Sequence, residues 1–302
     1  MFKFFRNLYY NTRLGKILIF PLLKLRNVII PETILIKTRF KRSLGYSLNL
    51  TKPTTYNEKL QWLKVNDRSD LHIKCADKYM VRSYIESNIG KKYLIPLVYQ
   101  TLDANEITSS ILPEYPFIVK TNHDSGGVWV IRDKSKIDLA DLKKEWKKNL
   151  KKNYDSGKGE WQYKQIQPRL VIEKLLLDKN NEIPSDFKFH CLNGKVAFIQ
   201  VDLNRATNHK RNLYDPKWNL LPFTIRYSNG INIERPKSLD KMIAIAEKLA
   251  KDFICVRVDL YLVMGKIYFG ELTFHPGAGF DKFTPMEWDY KFGKMLQLPI
   301  EK

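Results

Sequence analysis

Cysteine is scarce in this 302-residue sequence: Cys75, Cys191 and Cys255 are the only three, and they lie far apart. An odd number at this spacing predicts neither a disulfide framework nor a zinc site, and it suits a reducing compartment. Several motifs are also missing. Without GxxxxGK followed by Ser or Thr, GxGxxG, HRD or DFG, the chain matches no P-loop, Rossmann or protein-kinase pattern. The absence of Asp-x-Asp argues against a metal-dependent nucleotide-sugar glycosyltransferase.

Acidic residues are the minority among the charged side chains. Lys and Arg number 52 whereas Asp and Glu number 32, which gives a formal net charge of +20. This excess suggests a polyanionic partner, which is nucleic acid, nucleotide phosphates, an acidic polymer or an anionic membrane face. Hydrophobic residues at 44% and charged residues at 28% exclude a disordered tail and a bilayer-embedded protein. The length corresponds to about two domains.

The N-terminal segment contains no long apolar run. Its longest, Ile17 to Leu23, is interrupted by Pro21, whereas a membrane-spanning helix needs about 20 apolar residues. No small-residue cleavage site follows, so a secretory signal is not predicted. The segment instead mixes aromatic and basic side chains, which is typical of a helix in the interface of an anionic membrane. The alternative is a helix that packs on its own domain with solvated Lys and Arg side chains.

The first part of the chain after this segment is expected to be mainly helical. Thr55 and Glu58 fit a capping box at the start of one helix. A second helix is expected from about His72 to Glu86, with Gly90 ending it, and a short strand is expected from Leu94 to Tyr99.

The rest of the chain predicts antiparallel strand pairs with helices between them, which indicates an α+β fold. Asn193-Gly194 marks the turn of one hairpin. Asp138 is expected to cap a helix whose lysine-rich face is either solvated or binds an anion. Residues 153–158 are interpreted as a mobile loop, and a further helix is expected from Asp240 to Asp252.

The last hairpin, CVRVDLYLVMGKIYFGELTF, is the most informative stretch. If its turn comprises the three residues Met264–Lys266, Asp259 lies opposite Glu271 and Arg257 lies opposite Thr273 on one face. Facing carboxylates repel each other unless a cation lies between them or one is protonated. Hard oxygen ligands on strands suit Mg²⁺, which binds one or two carboxylates plus substrate phosphates. The alternative is a solvated face on which Arg257 neutralises the pair.

Two glycine-bearing segments fit the binding of an anion. Lys120 ends the strand PFIVKT and is followed by a turn with Gly126 and Gly127, where small residues and free N–H groups could cover a phosphate. Directly after the last hairpin, the glycines between His275 and Gly279 allow backbone N–H groups to approach an anion. Either segment could also be an ordinary structural turn.

Five stretches, taken in order, resemble the ATP-grasp superfamily and specifically its TupA-like branch. They are ADKYMVRSYI, PFIVKTNHDSGG, RLVIEKLL, DFKFHCLNGKV, and RVDLY with GELTFHPGAG. The resemblance runs from about Pro53 to Pro276. It implies an ATP-grasp fold, in which antiparallel sheets with flanking helices clamp ATP, here with a reduced N-terminal domain.

The resemblance also implies roles for individual residues in binding ATP and Mg²⁺. For the nucleotide, it assigns the phosphates to Lys78 and Lys120, the closing loop to Gly126 and Gly127, the adenine to Glu173, Lys174 and Leu176, and the ribose or phosphates to Asp186 or Lys188. For catalysis, it assigns Mg²⁺ to Asp259, Glu271 and Thr273, and the reacting centre to Arg257 and His275. Many members have Asn where this sequence has Thr273, which weakens the second metal position.

The activity implied by the resemblance is that of an ADP-forming carboxylate–amine ligase that works through an acyl phosphate. It would attach an amino acid or peptide, the amine donor, to a uronic acid or other carboxylate acceptor of a capsule or cell-envelope polysaccharide. The basic segment would suit an acidic, lipid-linked or polymeric acceptor at the cytoplasmic face of an anionic membrane. Two other hypotheses are a basic nucleic-acid or membrane binding protein with a vestigial nucleotide site, and a glycosyltransferase of polysaccharide biosynthesis. Of these partners, nucleic acid is the least expected.

Four regions are predicted along the chain. Residues 1–50 form the basic N-terminal segment and residues 51–115 a helical subdomain. Residues 116–178 form the lid of the ATP-grasp fold, and residues 179–302 form its C-terminal subdomain with the metal hairpin.

Overall fold

The structure, a computed structural model, describes residues 30–124, 126–152, 159–205 and 207–300. The helices found there begin and end as follows: α1 (Glu32–Leu44), α2 (Tyr56–Asn66), α3 (Asp70–Ala76), α4 (Val81–Ile89), α5 (Leu139–Leu150), α6 (Leu239–Ala250) and α7 (Glu287–Met295). Short 3-10 turns connect several elements.

The strands in the described residues pair antiparallel throughout. They are β1 (Leu97–Thr101), β2 (Phe117–Thr121), β3 (Val128–Ile131), β4 (Leu170–Lys174), β5 (Asp186–Leu192), β6 (Lys195–Leu203), β7 (Lys210–Tyr214), β8 (Thr224–Ile225), β9 (Cys255–Val263), β10 (Lys266–Thr273) and β11 (Phe283–Thr284). A four-stranded sheet has the order β1-β4-β2-β3, a five-stranded sheet has the order β10-β9-β5-β6-β7, and β11 pairs with β8. Separate antiparallel sheets with helices between them make an α+β fold.

The four-stranded sheet has its own hydrophobic core. Val119 of β2 and Ile172 of β4 are fully buried there with Trp146, which α5 contributes from its apolar face. Strand β1 belongs to this sheet although it lies before residue 116, where we placed the start of the lid. The four regional boundaries remain predictions.

The five-stranded sheet buries one face against α6. Apolar residues three or four positions apart on this helix, among them Met242, Ala246 and Leu249, pack with alternate strand residues such as Val258 and Leu260. Because side chains alternate along a strand, the residues between these apolar positions lie on the opposite face. Part of that opposite face is polar and carries most of the candidate site, whereas its remaining residues pack with α2 and α7 in a second hydrophobic core.

Three local predictions are confirmed. Glu58 and Thr55 form the capping box at the start of α2, each accepting from the backbone N–H of the other. Asp138 caps α5 by accepting from two backbone N–H groups. Asn193 and Gly194, with φ angles of 48° and 78°, make the turn between β5 and β6, and positive φ at both residues is what a type I′ turn requires.

The helix predicted from His72 to Glu86 is wrong as a single element. It is interrupted between α3 and α4 because Asp77 leaves the helical conformation and its carboxylate accepts from the N–H groups of Tyr79 and Met80. Short Asp side chains compete with helical hydrogen bonds in this way. The interruption places Lys78 at the junction between the two helices.

The final hairpin confirms the predicted carboxylate pair but corrects its turn. Lys266 pairs with Val263, so the turn has two residues, Met264 and Gly265, and not three. This shifts the register by one position, and a bulge at Gly270 shifts it back. Glu271 therefore faces Asp259 as predicted. A glycine suits the bulge because a Cβ there would meet the backbone of Asp259 at 3.0 Å.

Two predictions fall on residues outside the described ranges. They are the membrane-interface segment before residue 30 and the loop over residues 153–158. Within the described ranges, no helix is long and apolar enough to cross a membrane.

Candidate active site

Strand register aligns charged side chains across the polar face of the five-stranded sheet. Glu271 of β10 faces Asp259 of β9, which in turn faces Lys188 of β5. In the neighbouring line, Arg257 of β9 lies between Thr273 and His190. Residues that are far apart in the sequence are thereby held as direct neighbours on rigid strands.

Arg257 joins the two facing carboxylates. Its Nε and Nη2 donate to both oxygens of Asp259 at 2.6 and 2.7 Å, and Nη2 also donates to Glu271 Oε1 at 2.7 Å. This is the neutralisation that the alternative interpretation expected, but the surroundings differ because Asp259 is only 2% exposed. Arg257 and Asp259 therefore form a buried ion pair, whereas the Glu271 side chain at the end of the network is 45% exposed.

The two carboxylates titrate differently. Burial raises the pKa of Asp259 to about 6, although Arg257 and Lys188 oppose this shift. Burial would also raise the pKa of Glu271, but Arg257 and Lys78 outweigh it and lower that pKa below its ordinary value. Near neutral pH the pair contains one firmly ionised carboxylate and one that is easier to protonate.

This donor set fits Mg²⁺ only as a site that phosphates complete. Glu271 Oε1 accepts from Arg257 and Thr273, while Oε2 has no hydrogen bond to any described residue. No group of three or more His, Cys, Asp or Glu side chains in the described ranges could hold a metal by itself. Two carboxylates with phosphate oxygens and water are nevertheless ordinary magnesium ligands. The Thr273 hydroxyl donates to Glu271, so in this structure it orients that carboxylate.

A cavity of about 210 Å³ brings the predicted catalytic residues together. Its walls include Lys78 from the junction of α3 and α4, Arg257, Glu271 and Thr273 from the hairpin, and His275 from the segment after it. We call it the first cavity. Burial lowers the pKa of Lys78, although the nearby Glu271 and Asp124 act in the opposite direction.

The predicted phosphate residue Lys120 and the predicted adenine residue Glu173 meet on the two inner strands of the four-stranded sheet, β2 and β4. Lys120 donates to Glu173 at 3.0 Å, and Arg82 of α4 donates to the other Glu173 oxygen at 2.7 Å. These three side chains line a small recess. Lys78 and Gly270 also line it, and both residues line the first cavity as well. The recess therefore adjoins the first cavity. The adenine contacts of Glu173, Lys174 and Leu176 remain predictions.

The glycine-bearing turn after Lys120 is tightly built on one side. Asp124 accepts from the Thr121 hydroxyl at 2.5 Å and from the Gly127 N–H at 3.1 Å, and the Lys78 ammonium donates to its carbonyl. A Cβ on Gly127 would lie 1.9 Å from Thr121 Oγ1, whereas a Cβ on Gly126 would meet nothing within 4 Å. The two glycines therefore have different structural roles.

Asp186 and Lys188 lie on the polar sheet face, away from the first cavity. Lys188 forms an ion pair with Asp186, and its ammonium lies 3.6 Å from Asp259. Asp202 of β6 extends this network, because Arg211 donates to it at 2.6 Å and Arg205 at 2.9 Å. Contacts of Asp186 or Lys188 with a ribose or phosphate stay predictions.

The segment after the hairpin has an unusual backbone. His275 and Ala278 have positive φ angles of 56° and 53°, and Lys64 and Gln61 donate to the Ala278 carbonyl. Burial lowers the pKa of His275 well below its ordinary value, so its imidazole is neutral. Strained backbone of this kind is concentrated at functional sites.

Three residues that the sequence did not single out line the first cavity or the spaces beside it. They are Arg82, His190 and Arg226. Strand alternation in DFKFHC does place His190 on the same face as Lys188, so that pattern could have revealed it. Arg82 and Arg226 carry no comparable signal, because their placement depends on how separate elements pack.

Comparison with known families identifies the class of protein. The model for TupA-like ATPgrasp matches residues 58–297 of this chain. The chain therefore belongs to the TupA-like ATP-grasp family. The predicted family and the predicted α+β ATP-grasp fold class are both confirmed.

Solved structures of ATP-grasp enzymes are among the similar folds. The Bacillus anthracis D-alanine–D-alanine ligase complexed with ATP is 18% identical, with a TM-score of 0.42 over 67% of this chain and 55% of that one. An N5-carboxyaminoimidazole ribonucleotide synthetase in complex with ADP is 17% identical, with a TM-score of 0.43 over 72% and 50% of the two chains. The L-amino acid ligase of Bacillus licheniformis is 13% identical, with a TM-score of 0.42 over 74% and 47%.

This chain thus spans about half the length of the solved structures that it matches. A search of curated proteins gives no significant match.

Proposed function

We propose that the protein is an ATP-dependent carboxylate–amine ligase that forms ADP and an amide bond through an acyl phosphate. Membership of the TupA-like ATP-grasp family supports this activity. The observation that carries the proposal is the first cavity, where Lys78, Arg257 and Glu271 meet although they come from separate parts of the chain. The first cavity combines cationic side chains with Glu271, whose Oε2 has no hydrogen bond to any described residue. This combination fits a nucleoside triphosphate with its metal ion.

Binding of the nucleotide would depend on two lysines. Lys78 lines the first cavity, and Lys120 lines the adjoining recess. Each supplies a point charge for phosphate oxygens, and phosphoryl transfer depends mainly on positioning and on neutralised charge. Mg²⁺, when bound to Asp259 and Glu271, would supply further neutralisation of the terminal phosphates. The two carboxylates would thus orient the phosphate that is transferred.

The reaction then needs no protein nucleophile. An oxygen of the acceptor carboxylate attacks the γ-phosphorus, the bond to the bridging oxygen breaks, and ADP leaves with the electron pair. The amine next attacks the acyl carbon, loses a proton, and displaces inorganic phosphate. Arg257 lines the first cavity and would lie beside the reacting centre, where its charge would stabilise the acyl phosphate as it forms. The neutral His275 lines the same cavity, and its Nδ1 has no hydrogen-bond partner among the described residues, so it could orient the amine by a hydrogen bond.

The substrates proposed for this reaction are an amino acid or peptide as the amine donor and a uronic acid of a cell-surface polysaccharide as the carboxylate. The net charge of +20 supports an acidic acceptor. The place proposed for the reaction is the cytoplasmic face of an anionic membrane.

Trapping with hydroxylamine tests the proposed activity. With MgATP and a carboxylate present but the amine withheld, hydroxylamine should intercept the acyl phosphate as a hydroxamate, and ADP should form in equal amount. D-glucuronate, D-galacturonate and a set of amino acids are suitable carboxylates. Formation of AMP, or ADP release that no carboxylate stimulates, would contradict the ligase proposal.

A further inference from the structure

A second cavity of about 130 Å³ adjoins the first one. Arg226, Arg257 and Gly277 line both, so these residues lie at the boundary between the two spaces. The second cavity extends over the polar sheet face, where Lys188, His190 and Arg211 also line it. No residue that the sequence assigned to ATP, other than Lys188, lies there.

The second cavity is built for a polar ligand. Its lining has four cationic side chains, Lys188, Arg211, Arg226 and Arg257, but only one carboxylate, Asp281. His190 is 4% exposed and its Nδ1 has no hydrogen-bond partner, while its Nε2 lies 3.3 Å from Gln200 Oε1. A buried polar atom without a partner costs free energy unless a ligand or water satisfies it. The lining therefore indicates an anionic ligand that also offers hydrogen-bonding groups.

Arg226 differs from the other cations in this lining. Its Nε donates to Asp281 at 2.6 Å, its Nη atoms have no hydrogen bond to the described residues, and its side chain is 56% exposed. Arg257, in contrast, is 14% exposed and makes three short contacts with Asp259 and Glu271. Arg226 thus keeps two donors available for a carboxylate, whereas those of Arg257 are engaged.

The backbone at Arg226 is also held in a costly conformation. Its φ of 63° lies in the left-handed region, which a long side chain rarely adopts. Arg211 donates to the carbonyl of Ile225, the preceding residue, at 3.3 Å, and Ile225 also pairs with Phe283 of β11. These contacts fix the chain on which Arg226 is mounted, and strain that is maintained by its surroundings is typical of ligand-binding positions.

We propose that the second cavity is the acceptor subsite and that the Arg226 guanidinium binds the reacting carboxylate at the boundary between the two cavities. The inference rests on the proposed ligase function, and it adds a residue and a location for the acceptor. A planar guanidinium with two free nitrogens matches a carboxylate in a bidentate pair. From that position the carboxylate faces the first cavity, where the γ-phosphate would lie. The rest of the acceptor then occupies the cavity lined by Lys188, His190 and Arg211.

Titration calorimetry tests the location. D-glucuronate, D-galacturonate and L-glutamate are titrated separately into wild type saturated with Mg²⁺ and a non-hydrolysable ATP analogue, with D-glucose as the neutral counterpart. At least one carboxylate should bind while D-glucose does not, and Arg226→Gln should weaken that binding roughly ten- to a hundredfold. The matched control is Arg235→Gln, because Arg235 makes a comparable exposed pair with Asp240 at 2.6 Å. This control should bind as wild type does.

Asp281→Asn separates ligand binding from a purely structural role. If Arg226 serves only its ion pair, removal of either partner should change the melting temperature alike and leave carboxylate binding intact. Under our proposal, Asp281→Asn frees the guanidinium, so carboxylate affinity is maintained or improved, while Arg226→Gln lowers it. Equal affinities of Arg226→Gln and wild type, or no binding of any carboxylate to wild type, would overturn the inference. Nucleotide affinity measured without carboxylate tests the ligase proposal separately.

Discussion

The two larger sheets hold their charged side chains in different ways. On the inner strands of the four-stranded sheet, one carboxylate, Glu173, is shared by Arg82 and Lys120. On the five-stranded sheet, charges of alternating sign form a continuous network from Glu271 through Arg257 and Asp259 to Lys188 and beyond. The first arrangement is a local cluster, and the second links most of a sheet face.

This difference predicts unequal tolerance to substitution. In the cluster, loss of one cation leaves Glu173 with another partner. In the network, Arg257 is the link between two carboxylates, so its loss leaves Asp259 and Glu271 facing each other with reduced compensation. Buried charges that lose a partner are strongly destabilising, because the remaining charge stays out of water.

The largest effect is expected for Arg257→Gln. The free energy of unfolding should fall by about 3–5 kcal/mol, which is typical when one member of a buried ion pair is removed. Ligase turnover should be abolished as well if, as proposed, the same side chain lies at the reacting centre. Urea unfolding monitored by circular dichroism measures the first quantity, and ADP release measures the second.

The comparison for that variant is Arg82→Gln in the local cluster. Since Lys120 still neutralises Glu173 and the Arg82 side chain is 17% exposed, a loss of about 1–2 kcal/mol is expected. Equal losses in the two variants would show that the network is no more cooperative than the cluster.

The next effect concerns Asp259→Asn, which should abolish turnover but destabilise the free protein less than Arg257→Gln does, because Arg257 keeps Glu271 as a partner and Lys188 keeps Asp186. Burial raises the pKa of Asp259 from 3.8 to about 6, so between these values the folded protein retains a proton that the unfolded chain releases. The contribution of Asp259 to stability therefore falls as pH rises from about 4 to about 6. Asn cannot ionise and escapes this loss.

Urea unfolding at pH 4, 5, 6 and 7 checks the pH dependence. The stability of Asp259→Asn relative to wild type should increase across this range. Asp240→Asn is the control, because Asp240 is 80% exposed and should show no such trend. A relative stability of Asp259→Asn that does not change with pH would mean that the network stabilises the ionised carboxylate fully.

The same contrast explains what could be predicted from the sequence. Capping boxes, hairpin turns and strand alternation depend on neighbours in the chain, so Thr55 and Glu58, Asn193-Gly194 and the pairing of Asp259 with Glu271 were all predictable. In the last hairpin, two unpredicted features have opposite effects on the strand register. The turn is shorter by one residue than predicted, and a bulge at Gly270 shifts the register back by one position. The facing pair was therefore correct although the predicted turn was not.

Contacts between separate elements were not predictable in this way. The sequence gives no signal that Arg82 would reach Glu173, or that Arg226 would lie between two cavities. The resemblance assigned Arg257 to the reacting centre, and the structure shows that this side chain is also bonded to Asp259 and Glu271, which is the neutralisation that the alternative interpretation expected. Such partners depend on tertiary packing, which a local pattern does not encode.

A smaller effect is expected for Lys120→Ala, which acts on ligand binding more than on folding. Because Arg82 retains Glu173, the fold should persist, whereas affinity for a non-hydrolysable ATP analogue should fall roughly ten- to a hundredfold. Titration calorimetry measures this affinity. Lys195→Ala serves as the control, since Lys195 pairs with Glu247 on an exposed surface. Unchanged nucleotide affinity in Lys120→Ala would remove Lys120 from the proposed phosphate site.

The smallest effect is expected within the glycine-bearing turn, where adjacent glycines form a matched pair. A methyl group on Gly127 would collide with Thr121 Oγ1 at 1.9 Å and approach both carboxylate oxygens of Asp124, at 3.0 and 3.1 Å. Gly127→Ala must therefore displace the hydrogen bond that Thr121 donates to Asp124. We expect a loss of about 1 kcal/mol in the free energy of unfolding. Nucleotide affinity should fall too, since Asp124 also holds Lys78 through its carbonyl.

Gly126→Ala places its methyl group in open space and needs no positive φ, so it should change stability by less than about 0.5 kcal/mol. Thermal unfolding of both variants, with and without the nucleotide analogue, measures the contrast. If the turn closes over phosphates, the stabilisation by the analogue should shrink in Gly127→Ala and persist in Gly126→Ala. Equal stabilisation in both variants would show that the hydrogen bonds of Asp124 shape the turn without contributing to the nucleotide site.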